Sequence, residues 1–494
     1  MSDLKVWEEK IKEKRKKTPW REYLIGVCSW LPFSYYKNSG FISRYPISNR
    51  IKNLVDINNF LENEFSTDYD ISKNFFEQLV NFQRKSTLGN ILHYSKNENS
   101  DFSDIVLSSK NCYLSNSIII DGLNVLYSFQ VKENSHNIFN STLVWNNSEN
   151  IYFSSGIINS FKIFYSKFIL NSNNIWFSGN LNGCNECILC NNLENKFYCI
   201  KNKQFDKETY LKEKKKILES KKSFINIYLK LNIRGNNNGE NIINSYFVRE
   251  SENVVSGLMC YKIKNGRNIM FWGGKGDNEN IYDSMSGGTI GNTDFYGVGS
   301  AGANSSNIYI CNNITYSSNI YYSFHLENCS FCIGCIGLKN KSFCILNKQY
   351  SKEEWYELAN KIFASMDANG ILGDFFPGSL NPFYFNDTMA YLIDDSFTKE
   401  EVEAKGYMWR DSEIKVDIPD GAEIVKTSDL VNFQGFDSNG NWHINPEIMK
   451  KVIQDDNGNI YKIVPMEYEF LMKHNLPLPE IHWLDRIKLG FKFK

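Results

Sequence analysis

The chain has 494 residues, with 55 Lys and Arg against 56 Asp and Glu, so its formal charge is −1. A nearly neutral protein has no overall attraction to nucleic acid or to an anionic membrane, and this length suffices for about two to four domains. Phe, Tyr and Trp make up 15% of the residues, and there are ten prolines. Together with abundant Ile and Asn, this composition favours sheet over helix.

The N-terminal segment 1–17 is strongly charged and predicts a helix with no apolar core, unlike a signal peptide. No segment of the sequence approaches the roughly 18 apolar residues of a membrane span. We therefore expect a cytoplasmic protein. In that compartment its twelve cysteines would be reduced thiols or metal ligands rather than disulfides.

A short motif recurs from residue 111 onward. It has the form Asn–aliphatic–aromatic–x–Ser, as in Asn137–Ser141 and Asn150–Ser154, and six consecutive copies are spaced by 13, 13, 13, 12 and 12 residues. This period is too short for a helical hairpin but fits a short strand and a turn, so stacked units predict a parallel β-solenoid. One unit could be a full turn of a narrow solenoid or half of a coil of about 25 residues. A sandwich of short strands is the alternative, but it leaves the fixed motif unexplained.

Four cysteines recur with a constant displacement of 145 residues, which indicates that the repeat block is duplicated. The two sets are Cys184, Cys187, Cys190 and Cys199, and Cys329, Cys332, Cys335 and Cys344. Lys201–Gln204 is matched by Leu346–Gln349, a segment typical of a solenoid cap. A charged helix follows each copy, with Asp206 and Ser351 as the predicted N-caps. The second copy carries the motif more loosely, with units that include Asn241, Asn253, Asn268, Asn280, Asn307 and Asn319.

The sequence thus predicts a mainly β protein with two tandem parallel β-solenoid blocks of 12–13-residue repeats, helical connectors and a C-terminal α+β region. The predicted domains are an N-terminal helical and irregular region at 1–105, a first solenoid block at 106–205, a helical connector at 206–239, a second solenoid block at 240–350 and the α+β region at 351–494.

Several motifs resemble those of an uncharacterised family that is widespread in small-genome candidate-phyla bacteria. They are Asn74–Gln78, Lys110–Tyr113, Leu346–Tyr350, Gly373–Pro377, Asn381–Thr388, Tyr461–Pro465 and Asn475–Pro479. Members of that family carry two solenoid-like blocks and small zinc ribbons at the termini, built from paired Cys-x2-Cys motifs. Here Cys28 stands alone near the N-terminus and no cysteine follows Cys344. The resemblance therefore implies the solenoid blocks, while the terminal ribbons are degenerate or absent, which argues against a nucleic-acid role based on them.

The two cysteine clusters are the candidate site. Thiolates in the pattern Cys-x2-Cys-x2-Cys-x8-Cys bind zinc or an iron–sulfur cluster if the chain loops around the metal. The repeat register instead puts Cys187 and Cys190 where other units have Ile and Ser. Because residues i and i+3 of a regular strand point to opposite faces, we expect the thiols not to converge and to act as small buried ladder residues. Zinc binding by all eight cysteines, or thiol redox chemistry, is the alternative.

Other charged residues suggest alternative functions. The basic runs Lys10–Lys17 and Lys212–Lys222 contain Glu, which is typical of solvated helix faces, with nucleic-acid binding as the alternative. Asp283 and Asp294 are candidates to line a groove, as acids do in β-helical enzymes that act on polysaccharides.

The sequence contains no catalytic signature, and we expect a non-enzymatic repeat scaffold without a cofactor. It would bind a protein partner, or assemble with itself, through extended solenoid faces. The alternatives are a zinc-binding protein associated with nucleic acid and a glycan-active β-helix enzyme.

Overall fold

The computed structural model describes most of the chain and divides it into two compact units. The described residues are 2–38, 41–46, 50–53, 65–93, 97–220, 224–231, 236–237, 247–248, 257, 265–270, 281–285, 293–301, 304–411, 418, 421–438 and 440–491. One unit consists of residues 1–94 and 235–411, and the other of residues 95–234 and 412–494. Each unit therefore contains one of the two repeat blocks.

Helices lie outside the repeats. The α-helices are α1 Ser2–Arg15, α2 Trp20–Gly26, α3 Phe75–Gln83, α4 Lys207–Ser220, α5 Phe224–Leu229, α6 Lys352–Ala368, α7 Met389–Ile393, α8 Lys399–Glu403, α9 Pro465–His474 and α10 Trp483–Gly490. The 3-10 helices are Cys28–Trp30, Gly378–Leu380, Phe385–Asp387, Thr427–Phe433 and Pro446–Lys450. The predicted caps are confirmed: the backbone N–H of Thr209 donates to Asp206 at 2.9 Å, and Ser351 and Glu354 form a capping box.

Strands dominate the rest of the chain. Outside the repeats they are β1 Tyr36–Asn38, β2 Phe41–Ser43, β3 Ile51–Lys52 and β4 Leu88–Gly89. The first block contains β5 Phe102–Leu107, β6 Lys110–Ile119, β7 Leu123–Leu126, β8 Phe129–Lys132, β9 His136–Phe139, β10 Thr142–Trp145, β11 Glu149–Tyr152, β12 Ser155–Ile158, β13 Phe161–Phe164, β14 Lys167–Leu170, β15 Asn173–Trp176, β16 Gly179–Asn182, β17 Asn185–Ile188, β18 Asn191–Glu194, β19 Phe197–Ile200 and β20 Lys203–Gln204. After it come β21 Asn236–Asn237, β22 Phe247–Val248, β23 Thr293–Ala301, β24 Ser306–Thr315, β25 Ser318–Tyr321, β26 Phe324–Glu327, β27 Ser330–Ile333, β28 Ile336–Lys339, β29 Ser342–Ile345 and β30 Lys348–Gln349. The C-terminal strands are β31 Ile424–Lys426, β32 Gln434–Phe436, β33 Trp442–Ile444, β34 Val452–Gln454 and β35 Ile460–Tyr461.

The repeat blocks are parallel β-solenoids, which confirms the predicted fold class. In the first block β7 pairs with β9 and β9 with β11, while β8 pairs with β10 and β10 with β12. One turn therefore contains two short strands on two walls. Asn124 in one turn donates to Asn137 in the next, and the two are separated by a single motif period. The question left open by the sequence is thereby settled: each repeat is a full turn. The repeat positions predicted at Asn241, Asn253 and Asn280 lie outside the described residues.

A period of three residues controls the interior of the coil. In one coil Ile163, Ser166, Ile169 and Ser172 are all buried and point inward, although they are spaced by three. This is achieved because every third residue, such as Tyr165 with φ of +49°, takes the left-handed conformation and turns the chain. Non-glycine residues rarely adopt that conformation, and here the stacked hydrogen bonds of neighbouring coils hold it.

Stacking the coils produces four interior columns in the first solenoid, two aliphatic and two of serine. The first aliphatic column is Cys112, Val125, Ile138, Ile151, Ile163, Ile175, Cys187 and Cys199, and the second is Ile118, Val131, Val144, Ile157, Ile169 and Leu181. The first serine column is Ser115, Ser128, Ser141, Ser154, Ser166, Ser178 and Cys190, and the second is Ser109, Ser135, Ser148, Ser160, Ser172 and Cys184.

The serine columns satisfy backbone groups inside the coil. The Ser154 hydroxyl donates to the carbonyl oxygen of Tyr152 at 2.9 Å and accepts from the backbone N–H of Ser166 at 3.1 Å. The same pair of bonds recurs along the stack, so each hydroxyl connects two successive coils. Buried backbone groups at the corners are thereby paired without a strand partner.

Replacing one column serine tests this account. We expect Ser154→Ala to lower the free energy of unfolding by about 1–3 kcal/mol, because the N–H of Ser166 loses its acceptor. Ser154→Cys should lose less, since Cys190 already makes both bonds in the same column. Urea titration of the two variants checks the order; equal losses would contradict it.

The difference between the longer and the shorter coils arises at one corner. Asn146 and Asn147 are both left-handed, as are Glu133 and Asn134 one coil earlier, whereas the next coils have the single residues Asn159 and Asn171. The additional residue of a longer coil is therefore a second left-handed residue at this corner, and the interior columns stay in register.

The C-terminal end of each solenoid is closed by the same cap. Asn202 accepts from the backbone N–H of Asn191 and donates to its carbonyl oxygen, both at 2.9 Å. Asn347 makes the same two bonds to Ile336, and the strands β20 and β30 then add antiparallel edges. The matched segments identified in the sequence thus occupy the ends of the two stacks and pair their backbone groups.

An outward-facing column of mostly aromatic residues covers one wall of the first solenoid. We call it the outer column: Leu126, Phe139, Tyr152, Phe164, Trp176, Ile188 and Ile200. Helices of the same unit pack on this wall. Phe470 of α9 stacks on Phe139 with ring centroids 4.2 Å apart, and Phe224 of α5 contacts Phe177, which follows the column residue Trp176, at 4.9 Å. The aromatic wall is therefore largely an internal docking surface rather than an exposed face.

A buried polar cluster fixes the C-terminal helices to the same wall. Arg486 donates from Nη1 to Glu467 and to Asn140, both at 2.7 Å, and Asn140 donates to Glu467 at 2.9 Å. The side chains of Arg486 and Glu467 are fully buried. Asn140 occupies a motif position that neighbouring coils fill with Tyr or Phe. The polar contact is therefore specific to the coil that contains Asn140.

In the unit with the second solenoid, a helix also packs on the corresponding wall. Tyr309 and Tyr321 stack at 4.9 Å along the corresponding wall, and α6 covers it through Phe363, 5.2 Å from Tyr321. Trp355 of α6 donates its indole N–H to the carbonyl oxygen of Cys344 at 3.3 Å. Tyr210 of α4 holds the position in the first copy that Trp355 holds in the second, and both side chains are fully buried. The duplication therefore includes the helix after each cap.

Candidate functional site

The eight cluster cysteines lie inside the solenoids, in the last coils before each cap. Cys184, Cys187 and Cys190 follow one another around one coil, and Cys199 is the register partner of Cys187 in the next. The expectation that thiols at i and i+3 point to opposite faces is wrong, because the left-handed residues Glu186 and Leu189 between them turn the chain. Cys329, Cys332, Cys335 and Cys344 repeat the arrangement.

Within each cluster the thiols shift one another's pKa values. The neighbouring Cys187 lowers the pKa of Cys184 to about 7 and also lowers that of Cys190, while the pKa of Cys187 itself rises. In the second cluster the neighbouring thiols Cys329, Cys335 and Cys344 raise the pKa of Cys332. Each sulfur also donates to a carbonyl oxygen two residues earlier, as the column serines do; for Cys190 that distance is 3.3 Å.

This arrangement favours column residues over a metal centre. Three sulfur atoms belong to one coil, and Cys199 stands one coil further along, in line with Cys187 rather than over the centre of the three. Structural zinc requires four ligands, thiolates or imidazoles, arranged as a tetrahedron. Among the residues that the structure describes, no group of three or more His, Cys, Asp or Glu side chains is placed to hold a metal ion. The geometry supports the role of small buried residues that replace Ile and Ser.

Metal content and thiol reactivity check this interpretation. We expect protein purified without chelator to contain no stoichiometric zinc or iron, and the cluster thiols to react with a thiol reagent only after denaturation, because all eight are buried. Elemental analysis and thiol titration under native conditions measure both. One or two metal ions per chain, with thiols protected until a chelator is added, would contradict it.

Several of the other sequence candidates have structural partners. Asp283 does not line a groove: it is fully buried, 3.4 Å from Arg15, and burial raises its pKa to about 6. Asp294 was the second candidate for such a groove, and its side chain is not among those that the structure describes. In the first basic run Lys10 pairs with Asp367 at 2.5 Å, and in the second Lys216 pairs with Glu213 at 2.6 Å; residues 221–222 are outside the described part.

A cavity beside the outer column is a candidate site that the motifs did not indicate. Its volume is about 1310 Å³, and it lies within the unit that contains the first solenoid. Trp176 of the outer column contributes to it, helices α4 and α5 form one side, and the 3-10 helix Thr427–Phe433 forms another. Residues from distant parts of the sequence meet here, so no local pattern could identify it.

The described lining of this cavity combines apolar and charged residues. The apolar lining includes Trp176, Leu218, Phe224, Leu430, Trp442 and Ile481, and the charged lining is Glu186, Lys214, Lys215, Glu219, Asp456 and Glu480. Lys214 donates to Glu186 at 2.8 Å, and burial lowers the pKa of Lys214. His474 also lines the cavity, and burial lowers its pKa to about 4, so it is neutral at pH 7.

No protein-family model, curated protein or solved structure matches this chain. Within the described part, none of the helices combines the length and apolarity needed to cross a membrane.

Proposed function

We propose that the protein is a non-enzymatic scaffold that holds segments of partner proteins beside the parts of its solenoid walls that its own helices leave uncovered. The observation that carries this proposal is the aromatic wall of the first solenoid, which docks three helices of different sequence. Phe470 of α9 stacks on Phe139 of the outer column. Beside the column, Tyr228 of α5 lies 5.0 Å from Phe153, and Trp483 of α10 stacks on Tyr127 at 5.5 Å.

The repeat explains why one wall accepts several segments. Parallel strands present equivalent side chains about every 4.8 Å, so the same kind of apolar position recurs along the stack. A partner segment needs only apolar residues on one face to use such a wall. Extended surfaces of this kind bind without an enclosed catalytic site.

Two further features support binding over the alternatives. The interior hydroxyls and thiols are buried and hydrogen-bonded along the stack, so they are not nucleophiles open to a substrate. The caps at Asn202 and Asn347 pair backbone groups at the C-terminal end of each stack, which disfavours end-to-end assembly through those ends.

Affinity capture with the full chain as bait tests the proposal. We expect a defined set of proteins to be retained from a lysate of the source cells. At least one of them, once purified, should form a complex of fixed mass with the chain in light scattering. A tagged unrelated protein is the control. A chain that stays monomeric and retains nothing beyond this control would contradict the proposal.

A further inference from the structure

We propose that the cavity beside Trp176 is the docking site for an apolar, basic helical segment of a partner protein. This inference rests on the proposed scaffold function and specifies the partner's chemistry. The cavity continues an interface that the chain already uses. Trp176 belongs to the outer column, and the ring of Phe224 in α5 lies at an edge-on angle 6.5 Å from it.

The size and rim of the cavity favour a peptide over a small ligand. Its 1310 Å³ exceeds the roughly 300–1,000 Å³ of most small-molecule pockets. Leu211, Leu229, Val431 and Phe436 line it and are 46% to 68% exposed. Several large apolar side chains exposed around one opening mark an interaction surface, since scattered exposure would not cluster in this way. A helix with apolar residues on one face would cover them.

The charges of the cavity lining favour a positively charged partner segment. Among the lining residues that the structure describes, four carboxylates, Glu186, Glu219, Asp456 and Glu480, outnumber Lys214 and Lys215, and neutral His474 adds no positive charge. Lys214 is already paired with Glu186, and Lys215 lies 3.8 Å from Glu219. An acidic segment would add negative charge to a lining that is already negative, whereas lysines flanking the apolar face would be attracted. The aromatic lining adds favourable positions for cations at Trp442 and Phe436.

Peptide binding to the full chain tests the inference. The probe is a fluorescent amphipathic peptide of about 15 residues with Leu and Phe on one face and Lys on the other. Its partner probe has Glu in place of every Lys. By fluorescence anisotropy we expect saturable binding of the basic peptide, and binding of the acidic peptide at least about tenfold weaker.

Exposed residues provide matched variants. Val431→Lys and Phe436→Lys each remove an apolar contact and add a positive charge, so each should weaken binding of the basic peptide by about tenfold or more. Ile424→Lys is the control, because Ile424 is 47% exposed in the same unit and does not line the cavity. Circular dichroism confirms that each variant is folded.

The outcomes separate this inference from the scaffold proposal. Equal binding of both peptides, or equal affinity in the Val431, Phe436 and Ile424 variants, would overturn the cavity as the site. So would uptake of an apolar dye without peptide binding, which indicates a small ligand, or a dimer that Val431→Lys dissociates, which indicates a second copy. If capture from lysate is unchanged by Val431→Lys, the scaffold stands and the cavity is not its docking site. If the chain captures nothing while the basic peptide still binds selectively, only the scaffold proposal fails.

Discussion

Replacing Glu467 by Gln is expected to destabilise the unit that contains the first solenoid by about 3–5 kcal/mol. The Glu467 carboxylate is fully buried and accepts from Arg486 at 2.7 Å and from Asn140 at 2.9 Å. Glutamine keeps the shape and an acceptor oxygen but leaves the guanidinium charge of Arg486 without a counter-charge in the interior. A loss of this size is a large fraction of the stability of a typical domain.

Urea unfolding gives the total loss, and hydrogen exchange locates it. We expect the amides of α9 and α10 to exchange faster in the variant, because the cluster connects both helices to Asn140 of the solenoid. Glu447→Gln is the matched control: Glu447 pairs with Lys450 in an exposed position of the same unit, and its loss should not shift the urea midpoint measurably. Equal midpoints for the two variants would show that the buried pair does not hold the helices.

The architecture of the repeats could be predicted because the information is local and repeated. The constant displacement of the cysteines revealed two copies, and the regular spacing of Asn–aliphatic–aromatic–x–Ser indicated stacked strands. Both copies also showed the cap segment, which the structure places at Asn202 and Asn347. Each of these features recurs many times or in two places, so the residue type at any single position could not produce it by chance.

The direction of the side chains was mispredicted because ordinary strand alternation was assumed. Every third residue is left-handed here, including bulky residues such as Tyr127 and Phe153, and this conformation brings i and i+3 to the same side. A signal for it was present: Ile and Ser alternate at steps of three in Ile163, Ser166 and Ile169. That period identifies interior positions without a structure.

The covering of the outer column could not be predicted from local patterns. Asn140 contacts Glu467 across 327 residues of sequence, and the cavity joins Trp176 to residues beyond 427. An aromatic ladder looks the same in sequence whether it is exposed to a partner or covered by the chain's own helices. Only the tertiary packing shows that the chain's own helices cover the column, and that a cavity remains beside Trp176.

Deleting Asn171 is expected to unfold much of the first solenoid, whereas deleting Asn147 should have little effect. Both residues are exposed, left-handed asparagines at the same corner of the coil, and each bonds to an asparagine in an adjacent coil. Asn147 is the second of two left-handed residues in one of the longer coils. Without it that coil is as short as the one that follows, and every interior column keeps its register.

Asn171 has no such redundancy. It is the single left-handed residue at the corner of one of the shorter coils. Such a coil consists of four steps of three residues, so the deletion leaves it one residue too short to complete them. The chain must then slip by one position, which moves residues such as Ile175 and Leu181 out of the interior columns. Each large apolar side chain lost from the core costs about 1.5–3 kcal/mol, and a slip affects several at once, comparable with the whole stability of a domain.

Thermal unfolding followed by far-ultraviolet circular dichroism compares the two deletions. We expect the variant without Asn147 to keep a transition close to that of the wild type, since it only moves the boundary between longer and shorter coils one coil earlier. The variant without Asn171 should lose β signal before heating, or be recovered as aggregated protein. Equal behaviour of the two deletions would mean that the corner tolerates any length, and that the three-residue step does not control how the columns stack.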